Sequence, residues 1–422
     1  MPGFEVFGDE EKKEIMDVLD TGVLFRYEFA EQRQGIYKVR EFEEKFAAYC
    51  GAKYAQAVTS GTAALKVALA ALGVGPGDEV ITQCFTFVAT WEAIFDSSAM
   101  PVFTEVDETL NMDPADLEKK ITERTKVIIP VHMLGAPARI AEIKAIADRH
   151  GIPVLEDTAQ AAGCRLNGRH LGTFGNCGTF SFDSVKTMTT GEGGMIITDD
   201  KDFKRLMSEY HDHGHDHAVN PGGRGGEGRK FIGFNYRMME LQGAMGLAQL
   251  AKLDDMVARQ KKTKEILGRA AAEIPGVSFR DILDPAGDSA TFFSFFLADK
   301  EQAIRVNDIL RQNNAGAIAF GENSWHFYPH WEHLHANATL SRCGWPFKDK
   351  DGRQRVIYDP DTLPQSSALL DRLLVYQVPV NITEERLAEM TAALQRRQSD
   401  LQSNASGYKI NIKAVFAAFN DK

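Results

Sequence analysis

The chain has 422 residues, of which 44% are apolar and 25% charged, with a formal net charge of −11 at pH 7. That length suffices for a large core and a smaller second one, and the composition is that of an ordinary soluble globular protein. The acidic balance argues against a nucleic-acid partner, which needs a basic surface, and no apolar run approaches membrane-spanning length.

From the N-terminus, residues 9–20 and 39–50 carry the apolar periodicity of amphipathic helices. Ala55–Val58 is strand-like and ends at Ser60-Gly61-Thr62, after which a helical run reaches Leu72. Gly73 to Gly77 break that helix and Asp78–Thr82 begin a strand. The alternation recurs: Lys126–Val131 strand, Ile140–His150 helix, then strands at Pro153–Glu156, Gly178–Phe182 and Gly194–Thr198. Short apolar strands alternating with helices predict an α/β fold, a mostly parallel sheet covered on both faces. Residues 211–230 (HDHGHDHAVNPGGRGGEGRK) read as an exposed or site-lining loop. A long helix follows, Glu240 to Ala271, and within it, near residue 255, a larger domain (1–255) gives way to a smaller α+β one (256–422). The latter has a strand at Thr291–Leu297, a helix near 300–312, an aromatic loop at 320–347, the strand-like VYQVPV and a helix from Thr383 to about Leu401. No partner is assigned to the tail beyond it. Five scattered cysteines without a CxxC pair, and an N-terminus without a hydrophobic leader, predict reduced thiols and a cytoplasmic location.

Three segments carry chemistry. Ser60-Gly61-Thr62-Ala63 sits at a predicted helix N-terminus, where free N–H groups and the helix dipole favour an anion such as phosphate; taken alone, the motif is explained better by Ser60 as a simple cap. Glu156-Asp157-Thr158-Ala159-Gln160 follows a strand, at the carboxyl end where doubly wound sheets bind ligands. An acid there can hold a protonated ring nitrogen, or merely cap the next helix. Lys186 lies between the strand-like FSF and a glycine-rich turn, a place that could present an active amine; most lone lysines are solvated surface charges.

Taken in order, SGTAAL, GPGDEVI, TFVAT, EDTAQAAG, SFDSVKTMTTGEGG and GFNYRM resemble the DegT/DnrJ/StrS-type sugar aminotransferase family over nearly the whole chain. The resemblance implies an aspartate-aminotransferase-like fold (fold-type I), pyridoxal 5'-phosphate as cofactor, and a homodimer with shared active sites. Residues 1–255 would then be the cofactor domain, and the smaller domain would contribute to the substrate site. Lys186 corresponds to the lysine that holds the cofactor as a Schiff base, and Asp157 to the acid that pairs with the pyridine nitrogen. Gln160 falls near the ring oxygen and Phe87 resembles the aromatic stacked on the ring. Gly61, Thr62 (or the Ala63 N–H) and Ser181 resemble the phosphate cradle, and Asn235 the group that reaches the phosphate from the other subunit. The family's dehydratases carry His in place of the lysine, so Lys186 favours amino transfer. The implied donor is glutamate. The expected acceptor is 8-oxo-3,8-dideoxy-manno-octulosonate, because the 320–365 segment is long; a nucleotide-linked keto sugar is the alternative. No metal is expected: His211, His213, His215 and His217 read better as a solvated or substrate-lining loop than as ligands. Arg224 or Arg229 could meet an anionic group. Trp325, His326, Phe327, Tyr328, His330, Trp331, His333 and His335 could wall the substrate or pack as an aromatic core.

Overall fold

A computed structural model describes residues 3–217 and 228–396 of the chain. Helix α1 (Asp9–Thr21) and helix α2 (Lys38–Cys50) precede strand β1 (Tyr54–Val58). Then follow α3 (Gly61–Ala71), β2 (Glu79–Gln83), α4 (Ala89–Asp96), β3 (Met100–Thr104), β4 (Thr125–Ile129), α5 (Ile140–Arg149) and β5 (Leu155–Asp157). Strands β6 (Cys177–Ser181) and β7 (Gly194–Thr198) complete this half, with helix α6 (Lys201–Tyr210) after them.

Strands β3, β2 and β4 pair in parallel, and β1, β7, β6 and β5 form a second ladder. Parallel bridges Ile128–Val154 and Val131–Asp157 join the two into one surface, β3-β2-β4-β5-β6-β7-β1. Only β7 runs against the rest, pairing antiparallel with both β1 and β6. The expected mostly parallel sheet is therefore present. Strands β2 and β7 are buried along their whole length, as strands covered on both faces must be.

Helix α7 (Glu240–Ala271) is continuous through 32 residues. Its Leu247, Leu253, Met256 and Val257 pack with Phe42 and Phe46 of α2, whereas Leu267, Ala270 and Ala271 belong to a second core. The core thus changes between Val257 and Leu267. That second core lies on an antiparallel sheet, β8 (Ser278–Phe279), β9 (Phe292–Phe296), β11 (Leu373–Gln377) and β10 (Ile318–Ala319), in that order. Helices α8 (Lys300–Gln312) and α9 (Glu384–Leu394) cover it. Helix α9 stops short of the expected Leu401, and the tail lies outside the described residues.

The aromatic segment of the second half packs against the first. Phe320, Phe327, Tyr328, Trp331 and Phe347 pack with Phe85, Trp91, Phe95 and Phe103 of the first half. The contact is also made through the main chain: Thr86 N–H donates to His326 O (2.9 Å), Val88 N–H to Trp325 O (3.0 Å) and Tyr328 N–H to Cys84 O (3.0 Å). Three of the eight residues of the aromatic cluster are therefore core: Phe327, Tyr328 and Trp331 are buried, while Trp325 is 59% exposed.

Candidate active site

The carboxyl ends of β5 and β6, the N-terminus of α3 and the 84–90 loop meet at one cavity of about 370 Å3. Of the expected residues, Gly61, Thr62, Phe87, Asp157, Gln160, Ser181 and Lys186 all line it. Two do not. The Ala63 N–H is taken by its own helix cap, donating to Ser60 Oγ at 3.0 Å, which leaves Gly61 and Thr62 as the first-turn donors without an intrahelical partner. Asn235 is exposed on a segment bridged to Asp212 and lies outside this chain's own cavity lining.

The floor of the cradle explains Gly61. A Cβ at that position would sit 2.7 Å from the Ser181 Cβ and 3.0 Å from its Oγ, so any side chain would fill the space between α3 and β6. A helix N-terminus with bare N–H groups facing a serine hydroxyl is a place for a dianion.

Asp157 ends β5 and is buried. Its Oδ2 accepts from the Thr90 hydroxyl at 2.9 Å, and its Oδ1 from the Ala159 N–H at 3.1 Å. The Thr90 hydroxyl is itself paired with Thr86 Oγ1 at 2.8 Å. Burial pushes the Asp157 carboxyl up, while those two hydrogen bonds and the nearby Lys186 and His132 act in the opposite direction. One step back lies a buried pair. The Ala138 N–H donates to His132 Nδ1 (3.1 Å), so the ring proton sits on Nε2, which donates to Glu156 Oε2 at 2.9 Å. Glu156 also accepts from the Gly172 and Gly175 N–H groups. His132 N–H in turn donates to Asp157 O at 3.0 Å, fixing the strand end that presents the carboxylate.

Gln160 has its Oε1 engaged by the Leu134 N–H at 2.9 Å, leaving Nε2 as the end without a partner among the described residues. The turn that supplies this N–H is held from the second half of the chain, where Arg280 donates to the carbonyls of Thr109, Met133 and Leu134. Lys186 is half-buried at the start of the loop between β6 and β7, and its N–H donates to Asp183 O at 3.0 Å. Burial pushes its amine below the usual lysine range, against the pull of Asp183 and Asp157. Its Nζ has no hydrogen-bond partner among the described residues. Phe87 is 39% exposed and presents a ring to the cavity, parallel to Trp325 (9°) at 6.0 Å.

The His-rich loop is a correction. His211, Asp212 and His215 are buried rather than solvated or lining the cavity. His211 Nε2 pairs with the Tyr27 hydroxyl (3.1 Å), and the His217 ring stacks on Tyr27 at 4.0 Å with Nε2 on Asp212 Oδ2. The polar alternation is absorbed by partners on the 23–29 segment and α6. Among the described residues no group of three His, Cys, Asp or Glu is placed to hold a metal ion. Arg229 pairs with His215 Nε2 at 3.1 Å and does not line the cavity, and Arg224 lies outside the described residues.

Thr90, His132 and the pair Asn323/His326 complete the site; of these, sequence reading had singled out only His326. The signal for Thr90 was in TFVAT, three residues beyond Phe87, in the first turn of α4. His132 and Glu156 gave no signal, because their pairing depends on β4 and β5 being neighbours.

The family profile of DegT/DnrJ/EryC1/StrS aminotransferases matches residues 8–342. The chain belongs to that family. Among its relatives, the spore coat polysaccharide biosynthesis protein SpsC of Bacillus subtilis (strain 168) is 42% identical over 280 residues, 64% of this chain and 69% of that protein. A GDP-perosamine synthase of Caulobacter vibrioides is 44% identical over 227 residues, 53% of this chain and 58% of the synthase. Among solved structures, an aminotransferase from Psychrobacter cryohalolentis superposes with a TM-score of 0.78 at 27% identity, covering 98% of both chains. A 3-amino-5-hydroxybenzoic acid synthase does so at 0.75 and 28%, over 94% of this chain and 97% of that one. The chain shares with these neighbours the α/β fold of fold-type I pyridoxal-phosphate aminotransferases, as the family resemblance implied.

Proposed function

We propose that the protein transfers an amino group from glutamate to the carbonyl of a sugar, with pyridoxal 5'-phosphate held at this cavity. The observation that carries the reading is the juxtaposition, in one cavity, of an unpartnered lysine amine, a buried carboxylate and a glycine-floored helix N-terminus. Those residues fit the cofactor. Gly61, Thr62 and Ser181 would hold the phosphate, Phe87 would cover one ring face, Gln160 Nε2 would reach the ring oxygen, and Lys186 would bond the aldehyde carbon. When bound, the cofactor supplies an electron sink for deprotonation at the carbon next to nitrogen.

The chain's own groups do the rest. Asp157, whose carboxylate accepts two hydrogen bonds, favours the protonated form of a nitrogen placed against it. Lys186, with an amine less basic than usual, takes and returns the proton at the reacting carbon. Asn235 acts in the neighbouring subunit of a homodimer: it is exposed beside Ile232 (81% exposed) and Phe234 (49% exposed), an apolar surface that a second copy would cover.

Two acceptors are weighed. The perosamine synthase relatives, from Caulobacter vibrioides and Escherichia coli O157:H7, favour a nucleotide-linked keto sugar. An 8-oxo octulosonate, aminated for lipopolysaccharide, is favoured by one observation: the wall built from 320–363 runs past residue 342, where the family profile ends. The test is a panel of both acceptors with glutamate, using wild type and Lys186→Ala. Wild type is expected to turn over one acceptor and the variant none. Full activity in Lys186→Ala, or no glutamate consumption by cofactor-loaded wild type, would overturn the assignment.

A further inference from the structure

The cavity has a second wall that comes wholly from the C-terminal half and that the transfer chemistry above does not use. Its polar groups are Gln377, at the end of β11, and the pair Asn323 and His326. The hydrogen bonds of that pair fix its chemistry. The Trp325 N–H donates to the Asn323 side chain at 2.9 Å, so the accepting atom is the amide oxygen, Oδ1. The same oxygen lies 3.0 Å from His326 Nδ1. An amide oxygen only accepts, so Nδ1 carries the proton and the neutral ring has a bare lone pair on Nε2. That nitrogen has no partner among the described residues. The ring is held between Phe87 (5.3 Å) and the edge of Phe320 (5.3 Å, 88°), and its own carbonyl is pinned by the Thr86 N–H.

We propose that His326, oriented by Asn323, accepts a hydrogen bond from a hydroxyl of the acceptor sugar, and that this wall therefore selects an uncharged polyol rather than a carboxylate or phosphate. The inference rests on the sugar aminotransferase reading and names which part of the substrate meets which wall. A bare nitrogen pairs with a donor, and of the groups on a sugar only its hydroxyls donate. A carboxylate or phosphate would need the ring protonated. Burial, reinforced by the positive charge of Lys186, pulls His326 down to about 3, so the imidazole stays neutral throughout the working range. Trp325, largely exposed, stacks parallel to Phe87 at 6.0 Å. The anionic part of either candidate substrate must then lie away from this wall.

The experiment is a substrate–protein cycle on the cofactor-loaded enzyme. The acceptor is whichever of the two panel sugars, a GDP-linked 4-keto-6-deoxymannose or 8-oxo-3,8-dideoxy-manno-octulosonate, wild type consumes. It is compared with its analogue lacking the hydroxyl beside the carbonyl. His326→Phe keeps a ring and removes the acceptor; His326→Gln keeps an acceptor oxygen. With the parent sugar, His326→Phe is expected to lose about 10- to 100-fold in kcat/KM, the size of one buried hydrogen bond, and His326→Gln less. With the deoxy analogue, wild type and His326→Phe should converge. A loss of equal size with parent and analogue would reduce His326 to a structural role, and no loss with the parent sugar would remove it from the site; either overturns the proposal. Absorbance of the bound cofactor shows that each variant is loaded. Failure of the transfer reading itself registers separately, as wild type that does not react with glutamate.

Discussion

Thr90 offers the sharpest test of how the Asp157 carboxyl is held. Thr90→Val replaces a hydroxyl by a methyl of similar size, so the main change is the loss of that hydroxyl's hydrogen bonds to Asp157 and Thr86. The donor lost is the one that reaches Asp157 Oδ2 at 2.9 Å in a buried setting. A hydrogen bond to a charged acceptor contributes about 1.5–3 kcal/mol, and its loss shifts the carboxyl pKa. The direction is upward, adding to the push that burial already exerts. Asp157 then competes for the proton it should leave on the nitrogen opposite, and the electron sink weakens. Single-turnover reaction with glutamate, followed by cofactor absorbance, should slow about 10- to 150-fold. Cofactor affinity, set mainly by the cradle and Lys186, should stay within about threefold, the rest of the site being untouched. Thr90→Ser, which restores the hydroxyl, should recover most of the rate. A rate within twofold of wild type, or a rate loss matched by an equal loss in cofactor affinity, refutes the reasoning.

Two further outcomes are expected. Mixed dimers of a Lys186→Ala chain and an Asn235→Ala chain should regain activity that the Lys186→Ala homodimer lacks, since one of the two sites is then free of both defects; no recovery, or an active monomer in sedimentation, removes Asn235 from a role in trans. Thermal stability should fall as pH drops from 7 toward 5. His170 and His326 are held down to about 4 and about 3, mainly by burial, whereas the unfolded chain titrates near 6.5. Between those values the unfolded state binds more protons, so stability present above about 6.5 is lost on acidification. His170→Gln should shrink the decline in melting temperature, and a flat or rising profile over that range would count against it.

Much of this was legible in the chain because it is local. The Ser60-Gly61-Thr62 cradle, Asp157 at a strand end and Lys186 before a glycine-rich turn are each set by a few consecutive residues, and the structure brings all three segments to one cavity. What escaped the sequence is set by neighbours distant along it. His132 meets Glu156 only because β4 lies beside β5. Arg280 holds the turn that orients Gln160 across more than a hundred residues. The His-rich loop misled because alternating polar residues look solvated, and nothing local reveals that Tyr27 stacks on His217. Helix α4 was missed as an element because its run of residues, ATWEAIFD, is short and has no polar cap at Val88.

The main-chain bonds between 84–88 and 325–328 have an evolutionary consequence. Because they join carbonyls to N–H groups, they are indifferent to which side chains stand at 325 and 326. The ring wall at Phe87 can therefore stay in register while those two positions are exchanged. A lineage could retarget the enzyme to a different acceptor by point changes there, without reassembling the machinery on the opposite side, and directed evolution of this scaffold has its most economical library at the same two codons.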